Sequence, residues 1–314
     1  MKRTASVVLN DSLLLLTAII WGMAFVAQRM GMEHVGPFTY NAVRFGIGSV
    51  TLLPLIAFRS RSARPAEAAD TPPAAPAEPA ARMSAIVAGL IAGGVLFFGA
   101  SLQQVGLLTT TAGKAGFITG LYVVLVPLFG LAVRQRAGWS AWVGAGLSVA
   151  GLFLLSVTDT FAIQRGDLLV LIGAFFWAGH VQVVGWLSRR TDPIRLSSVQ
   201  FAVCSLASLL IALVFEHPTL DGIYAAAWPI LYGGFMSVGV AFTLQVVAQR
   251  HAPPAHAAIL LSFETVVAAL GGALLLGERL APRGIAGCAI IFAGMLVCQT
   301  PVIMVSLAGV RRRV

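Results

Sequence analysis

Charged residues are scarce in this sequence. Only 11% of the 314 residues are Asp, Glu, Lys or Arg, whereas a soluble domain carries about 25%. Acidic residues are the rarest, with 12 Asp and Glu against 21 Lys and Arg. With 58% hydrophobic residues and a mean hydropathy of +0.89, the composition excludes an ordinary soluble domain and indicates that most of the chain lies in lipid.

Cysteines are few, and nucleotide-binding motifs are absent from the sequence. The three cysteines, Cys204, Cys288 and Cys298, all lie in apolar runs, so we expect neither a disulfide framework nor a metal site. The sequence contains no P-loop, no dinucleotide-binding glycine fingerprint and no metalloprotease helix motif. These absences argue against ATP-driven transport within this chain, and we predict no cofactor.

Long apolar runs, by contrast, are abundant. A helix needs about 20 apolar residues to cross the hydrocarbon core of a bilayer, and the sequence contains ten such runs. Since only helices satisfy the backbone within one segment, we predict an all-α polytopic membrane protein with ten transmembrane helices. The predicted spans are residues 12–31, 37–58, 83–106, 114–133, 139–157, 167–188, 195–215, 224–248, 255–276 and 283–305. The first is predicted to remain uncleaved.

The basic residues sort to one side of these spans. Fifteen fall on the side that holds both termini and five on the other, while Arg44 lies inside a span. Cytoplasmic loops carry the excess of Lys and Arg, so both termini are predicted to be cytoplasmic, in the inner membrane of a bacterium. This distribution explains the net charge of +9 without a nucleic-acid partner.

The chain also contains an internal repeat. An offset of 156 residues superposes rare residue types in the first part of each half, and an offset of 143 superposes glycines in the last part. The matched pairs are Asp11 with Asp167, Trp21 with Trp177, Pro37 with Pro193, Phe45 with Phe201, Gly144 with Gly287 and Gly151 with Gly294. We therefore divide the chain into two repeats, residues 1–158 and 159–314.

Each repeat has five predicted spans, and an odd number turns the second repeat upside down in the membrane. Inverted repeats are the usual architecture of secondary transporters, in which the halves rock about a central site. The change of offset indicates about 13 extra residues in the first half, which we assign to the Ala/Pro/Glu-rich loop 59–82. Such a composition predicts disorder, and the loop is either a spacer or a regulatory segment.

Two ionisable side chains lie inside predicted spans. Glu264 is the only acidic residue deep in one, and a buried charge costs at least about 2.5–3.5 kcal/mol at a helix centre. It is either the coupling residue, carrying a proton or contacting a substrate cation, or a structural acid. Arg44 either binds a substrate carboxylate or bonds helix-end carbonyls, and its depth argues against a direct salt bridge to Glu264.

Further candidates for the substrate pathway are aromatic and amide side chains near mid-span. Trp21 and Gln28 share a face of the first span, and Trp177 and His180 share a face of the sixth. Helix packing explains the tryptophans almost as well as a substrate wall does, and His180 is either a proton relay or a structural partner of another helix. Tyr40, Tyr122 and Gln245 complete the set.

Several motifs resemble the EamA type of the drug/metabolite transporter superfamily. The first half has Trp-Gly-Met-Ala-Phe at 21–25, then Pro37 and the pair Arg44–Phe45, and the second has LSFETVVAALGGALLLGERLAPRGIAGCAIIFAGMLV at 261–297. Two positions depart from the family pattern: Thr265 follows Glu264 where the family often has proline, and residues 134–136 lack the acid of the Gly-Glu-Arg turn. The resemblance implies ten helices, a central cavity between the halves, and export or exchange of small metabolites such as amino acids.

These features lead to one functional expectation and two alternatives. We expect a carrier, not an enzyme, that exports small organic metabolites by alternating access and is coupled to protons, with the lipid bilayer as its surroundings. A passive facilitator or exchanger is the first alternative. A membrane-embedded enzyme is a remote one, because it would need clustered acids to hold a metal. Ten spans enclose a cavity within one chain, so a monomer is sufficient.

Overall fold

The described part of the chain is helical. The computed structural model describes residues 2–62, 83–135, 137–156, 164–278 and 282–311, and in these ranges it contains no strand. Most of the predicted disordered loop, residues 63–82, lies outside the described residues, as does Arg279 of the predicted Gly-Glu-Arg turn.

The described helices form ten segments, which we label α1 to α10. They are α1, Lys2–Gly31; α2, Pro37–Thr51 and Leu53–Ser62; α3, Ala85–Gly106; α4, Ala112–Gly120 and Tyr122–Ala132; α5, Trp139–Ser156; α6, Arg165–Leu187; α7, Pro193–Phe215; α8, Ala227–Leu231, Tyr232–Phe242 and Thr243–Gln249; α9, Pro254–Leu261 and Glu264–Leu275; and α10, Pro282–Arg311. A short helix, Leu220–Ala225, precedes α8.

Eight of these segments, α1 to α4 and α6 to α9, are long and apolar enough to cross a membrane. The apolar part of α10, Pro282–Val297, is shorter. It packs along the 18-residue helix α5. The predicted all-helical membrane fold is therefore confirmed in the described residues, whereas the count of ten spans remains a prediction.

Proline and acidic residues define the starts of several helices. Pro37 and Pro193 each stand in the first turn of their helix, where the missing N–H costs nothing. Glu216 accepts hydrogen bonds from the first backbone N–H groups of α2, and Glu278 does the same for α4. Carboxylates are favourable at helix N-termini, so second-half acids fix where two first-half helices begin.

Helix packing follows the same plan in both halves. Helix α1 packs against α8 and α9, and its counterpart α6 packs against α3 and α4. Helix α2 contacts α8, and its counterpart α7 contacts α3. In addition, α2 packs against its own counterpart α7, and α5 packs against its own counterpart α10. Exchanging the halves therefore leaves these packed pairs unchanged, as a two-fold relation between the repeats requires.

Close glycine contacts repeat this relation at the level of single atoms. A Cβ added at Gly93 of α3 would lie 2.9 Å from the carbonyl oxygen of Gln200, and one added at Gly234 of α8 would lie 3.0 Å from that of Arg44. Arg44 and Gln200 are 156 residues apart. Small residues let membrane helices approach closely, so the same glycine-to-backbone contact joins α3 to α7 and α8 to α2.

Candidate functional site

The helices enclose a cavity at the centre of the bundle, between the two halves. Its free volume is about 40 Å³, which holds about three water molecules. In this conformation the central cavity is therefore too small for an organic substrate. The lining residues are Trp21, Ala24, Phe25, Gln28, Arg44, Gln103, Thr119, Tyr122, Trp177, His180, Val181, Ser237, Phe242, Gln245 and Glu264.

Eight of the nine residues predicted from the sequence line this cavity, and Tyr40 does not. Trp21, Gln28, Arg44, Tyr122, Trp177, His180, Gln245 and Glu264 are all among its walls. Tyr40 is fully buried against α8, where its hydroxyl donates to the carbonyl oxygen of Pro229 at 2.9 Å. It contributes packing and one hydrogen bond outside the cavity.

Two of the seven segments that line this cavity, α4 and α9, are interrupted beside it. Helix α4 breaks at Leu121, and α9 breaks at Ser262 and Phe263. The first residues after the breaks, Tyr122 and Glu264, both line the cavity. Discontinuous helices at mid-membrane are the usual builders of transporter sites, because their ends offer unpaired backbone groups and dipoles.

Glu264 lies in the first turn of its half-helix, where the positive end of the helix dipole favours an anion. The residue is 3% exposed. The hydroxyl of Tyr122 approaches its carboxyl without completing a hydrogen bond of ordinary geometry. No ion pair in the described residues includes Glu264, so the helix end is its main source of electrostatic stabilisation.

Arg44 enters the cavity from α2. Its Nε donates to Asn41 Oδ1 at 2.9 Å, and its guanidinium lies over the rings of Phe45, at 4.8 Å, and Tyr40, at 5.4 Å. Arg44 is 3% exposed, and in the described part of the chain it forms no ion pair with a carboxylate. The aromatic faces stabilise the cation and leave its outer N–H groups available to a ligand.

The aromatic wall centres on Phe242, a residue that the sequence does not predict for the site. Its ring lies 4.4 Å from that of Trp21, 5.9 Å from Trp177 and 6.0 Å from His180. Phe242 ends an 11-residue π-helix, Tyr232–Phe242, and π-helical segments occur frequently at functional sites. One Phe among 18 carries no signal in an apolar sequence, so only the fold identifies this one.

Several buried polar atoms of the wall have no partner within the described protein. They include Trp177 Nε1, His180 Nδ1 and both amide atoms of Gln245. The other nitrogen of the imidazole, Nε2, is 2.9 Å from Gln200 Oε1. Buried polar groups are almost always hydrogen-bonded, so these atoms are available to water or to a molecule that enters the cavity.

Two larger spaces lie near the central cavity. One, of about 530 Å³, is lined by Gly185, Arg189 and His256 among others; the second, of about 320 Å³, is lined by Met32, Leu108 and Glu216 among others. Gly185 lies four positions after Val181 of the cavity, and Met32 lies four positions after Gln28. At 1.5 Å per residue, four positions span about 6 Å along the helix axis.

A central cavity that is bordered by broken helices and shared by two similar halves is the arrangement of a secondary transporter. Comparison with protein families decides which one. The model of the EamA-like transporter family matches residues 9–157 and 164–299. The chain belongs to this family. The resemblance carried by the motifs of both halves is thereby confirmed.

Other EamA-like transporters resemble this one over nearly its full length. An uncharacterized transporter of Archaeoglobus fulgidus is 29% identical, covering 90% of this chain and 83% of the relative. The uncharacterized inner membrane transporter YedA of Escherichia coli K12 is 27% identical, with coverages of 89% and 87%. A solved crystal structure with 18% identity superposes with a TM-score of 0.70 over 94% of this chain and 98% of its own, which supports the fold.

Proposed function

We propose that this EamA-like transporter exports small zwitterionic metabolites, such as amino acids or related compounds, by alternating access coupled to protons. The observation that carries the proposal is the pair of opposite charges on one closed cavity. Arg44 and Glu264 both line it, and no ion pair joins them in the described residues. Two unpaired charges of opposite sign are costly in a membrane unless a ligand or a proton neutralises them.

The cavity walls suit a ligand with three parts. Arg44 presents guanidinium N–H groups that match a carboxylate in two parallel bonds. Glu264 accepts from an ammonium group, and the rings of Trp21, Trp177 and Phe242 form an apolar wall for a side chain. The unpartnered amide of Gln245 supplies further hydrogen bonds.

Coupling to protons would reside in Glu264. A lone, buried carboxyl at mid-span can hold either a proton or a substrate cation. It holds only one of them at a time, because either one neutralises the single negative charge that the helix end stabilises. Binding of an ammonium group would therefore release the proton, and a proton entering from the other side would displace the ammonium. This competition produces exchange of substrate for protons.

The repeated architecture supplies the conformational change. The exchange of packing partners between halves and the matched glycine contacts support ten spans arranged as two inverted repeats, residues 1–158 and 159–314. About 6 Å of helix separates the cavity from the neighbouring space on either side, so only small movements would be needed to connect them. The family model, which matches one stretch in each half, agrees with this division.

We place the protein in a bacterial inner membrane with both termini in the cytoplasm. The excess of basic residues on the side of the termini supports this orientation, and the relative YedA is named an inner membrane transporter. A passive facilitator or exchanger of the same metabolites is the second candidate, since the same fold would serve it and it requires no titrating group. The relatives are named transporters, which leaves the enzyme alternative without support.

The test is transport in proteoliposomes loaded with a mixed pool of amino acids and related metabolites. We expect an imposed pH gradient to drive selected zwitterionic compounds across, as identified by mass spectrometry. Glu264→Gln, which keeps the shape and removes the charge, should abolish the response to the gradient. Tyr40→Phe is the matched control, since Tyr40 lies outside the cavity. Transport with unchanged rate and pH dependence in the Gln variant would remove Glu264 from the mechanism and favour the facilitator.

A further inference from the structure

Three acid–base pairs join the two halves in the described residues, and in two of them the carboxylate is buried. Asp11 Oδ1 lies 2.8 Å from His256 Nε2, and Asp167 Oδ2 lies 2.5 Å from Lys114 Nζ. In each pair one residue belongs to residues 1–158 and the other to residues 159–314. Asp11 and Asp167 are matched by the repeat, and the two bases both stand in the first turns of a broken helix, α9 and α4. The two pairs are thus equivalent under exchange of the halves.

The pairs lie at opposite ends of the central cavity. Asp167 stands in the first turn of α6, whose middle supplies Trp177 and His180 to the cavity. Eighteen residues further along, Gly185 lines the same flanking space as His256. At 1.5 Å per residue the two ends are about 27 Å apart, so the cavity lies between an Asp167 pair at one end and an Asp11 pair at the other.

Both carboxylates are buried. The side chain of Asp167 is 6% exposed and that of Asp11 is 8% exposed. Asp167 also accepts hydrogen bonds from Thr110 Oγ1 and the backbone N–H of Gln164, each at 2.8 Å. The other ion pair of the described residues, Arg59 with Asp192, is 3.9 Å long and has side chains 59% and 43% exposed. Exposed pairs contribute little. The side chains of Lys114 and His256 are 35% and 16% exposed, so each pair joins a buried carboxylate to a partly exposed base, and a buried carboxylate without its partner is costly.

Alternating access requires contacts between the halves to separate at one end while they hold at the other. We propose that these two buried acid–base pairs are the gates of the transport cycle: the Asp167–Lys114 pair keeps one end of the cavity closed, and the Asp11–His256 pair keeps the opposite end closed. In this closed conformation both gates are formed. The cycle separates them in turn, and the inference rests on the alternating-access mechanism proposed above.

The experiment measures access to the cavity from each side. Ser237, which lines the cavity, is replaced by Cys in a chain whose three native cysteines are changed to Ser. Sealed vesicles of known orientation are treated with a membrane-impermeant thiol reagent on one side at a time. We expect Asp167→Asn to raise the labelling rate about tenfold from the Asp167 side alone, within the usual range of coupling between conformations. Asp11→Asn should do the same from the opposite side alone.

Two further variants separate gating from folding. The double variant Lys114→Asp with Asp167→Lys restores opposite charges and should return labelling towards the parent rate. Arg59→Gln, at the exposed pair, should leave labelling from both sides unchanged. Equal labelling of the parent, Asp11→Asn and Asp167→Asn chains from both sides would overturn the gates. Side-specific labelling in a protein that moves none of the tested metabolites would retain the gates and reject the proposed substrates.

Discussion

The two halves of this transporter are alike where helices pack and unlike where they face the cavity. Gly93 and Gly234 make the same close approach to the backbone of α7 and α2, at the carbonyls of Gln200 and Arg44. The side chains of those two residues differ completely. Arg44 lines the cavity with its guanidinium, while Gln200 holds the imidazole of His180.

This difference separates two requirements on the sequence. In alternating access the cavity opens first to one side of the membrane and then to the other. The helices must pack almost equally well in both states, so the helix contacts stay matched between the halves. A substrate with two different ends needs only one orientation in the site, so the charged residues need not be matched between the halves. The repeat therefore predicts the scaffold, and departures from the repeat mark the binding chemistry.

The largest expected effect comes from making the halves alike at the binding position. Arg44→Gln gives the first half the residue of the second, and it removes the cation that we assign to the substrate carboxylate. Losing one partner of a buried charge pair costs about 2–5 kcal/mol, so the KM for a carboxylate-bearing substrate should rise at least roughly thirtyfold. The measurement is the concentration dependence of uptake into proteoliposomes.

The reciprocal variant shows whether position matters as well as charge. Arg44→Gln combined with Gln200→Arg carries the cation to the second half, where it would also remove the partner of His180. We expect no recovery of transport. An unchanged KM in the single variant would instead assign Arg44 to structure.

Much of the site follows from residue rarity in the sequence. Trp, Arg and Glu are uncommon inside apolar spans, so the sequence alone identifies Trp21, Arg44, Trp177 and Glu264, and all four line the cavity. Tyr40 is predicted on the same grounds, yet it faces α8. A polar side chain can be buried on several sides of a helix within a bundle. Only the packing of the neighbouring helices decides which side faces the cavity.

Other features depend on tertiary structure and leave little trace in the sequence. The break at Ser262–Phe263 has no neighbouring proline or glycine, and the break at Leu121 is marked only by Gly120. The π-helix that ends at Phe242 lies in an unbroken apolar run. Lys114 stands at the start of an apolar run, and only the fold shows that it forms an ion pair with Asp167. Ion pairs between distant segments require the fold to bring them together.

The second prediction tests the likeness of the halves instead of their difference. Added Cβ atoms at Gly93 and Gly234 would each fall 2.7 Å from the Cβ of a β-branched residue, Val203 and Ile47 respectively. Overpacking costs about 1–3 kcal/mol, so Gly93→Ala and Gly234→Ala should lower the melting temperature in detergent by several degrees and by similar amounts.

The neighbouring Gly94 provides the control, because a Cβ there meets no atom within 4 Å. Gly94→Ala should be neutral or slightly stabilising, since alanine is favoured over glycine in helices by about 1 kcal/mol. A large loss of melting temperature at Gly93 with none at Gly234, or the reverse, would contradict this prediction. It would mean that the two matched contacts contribute differently to stability despite their similar geometry.

The smallest effect is expected where the halves differ in length. Deletion of residues 65–77 removes the 13 residues by which the first half exceeds the second. The Ala/Pro/Glu-rich composition cannot bury enough apolar surface to form a packed core, so membrane insertion and transport should match the parent protein, as measured by membrane yield and proteoliposome uptake. Normal insertion with lost transport would instead give this loop a regulatory role. If both are unchanged, the extra length is a spacer, and the functional asymmetry of the halves reduces to the side chains that face the cavity.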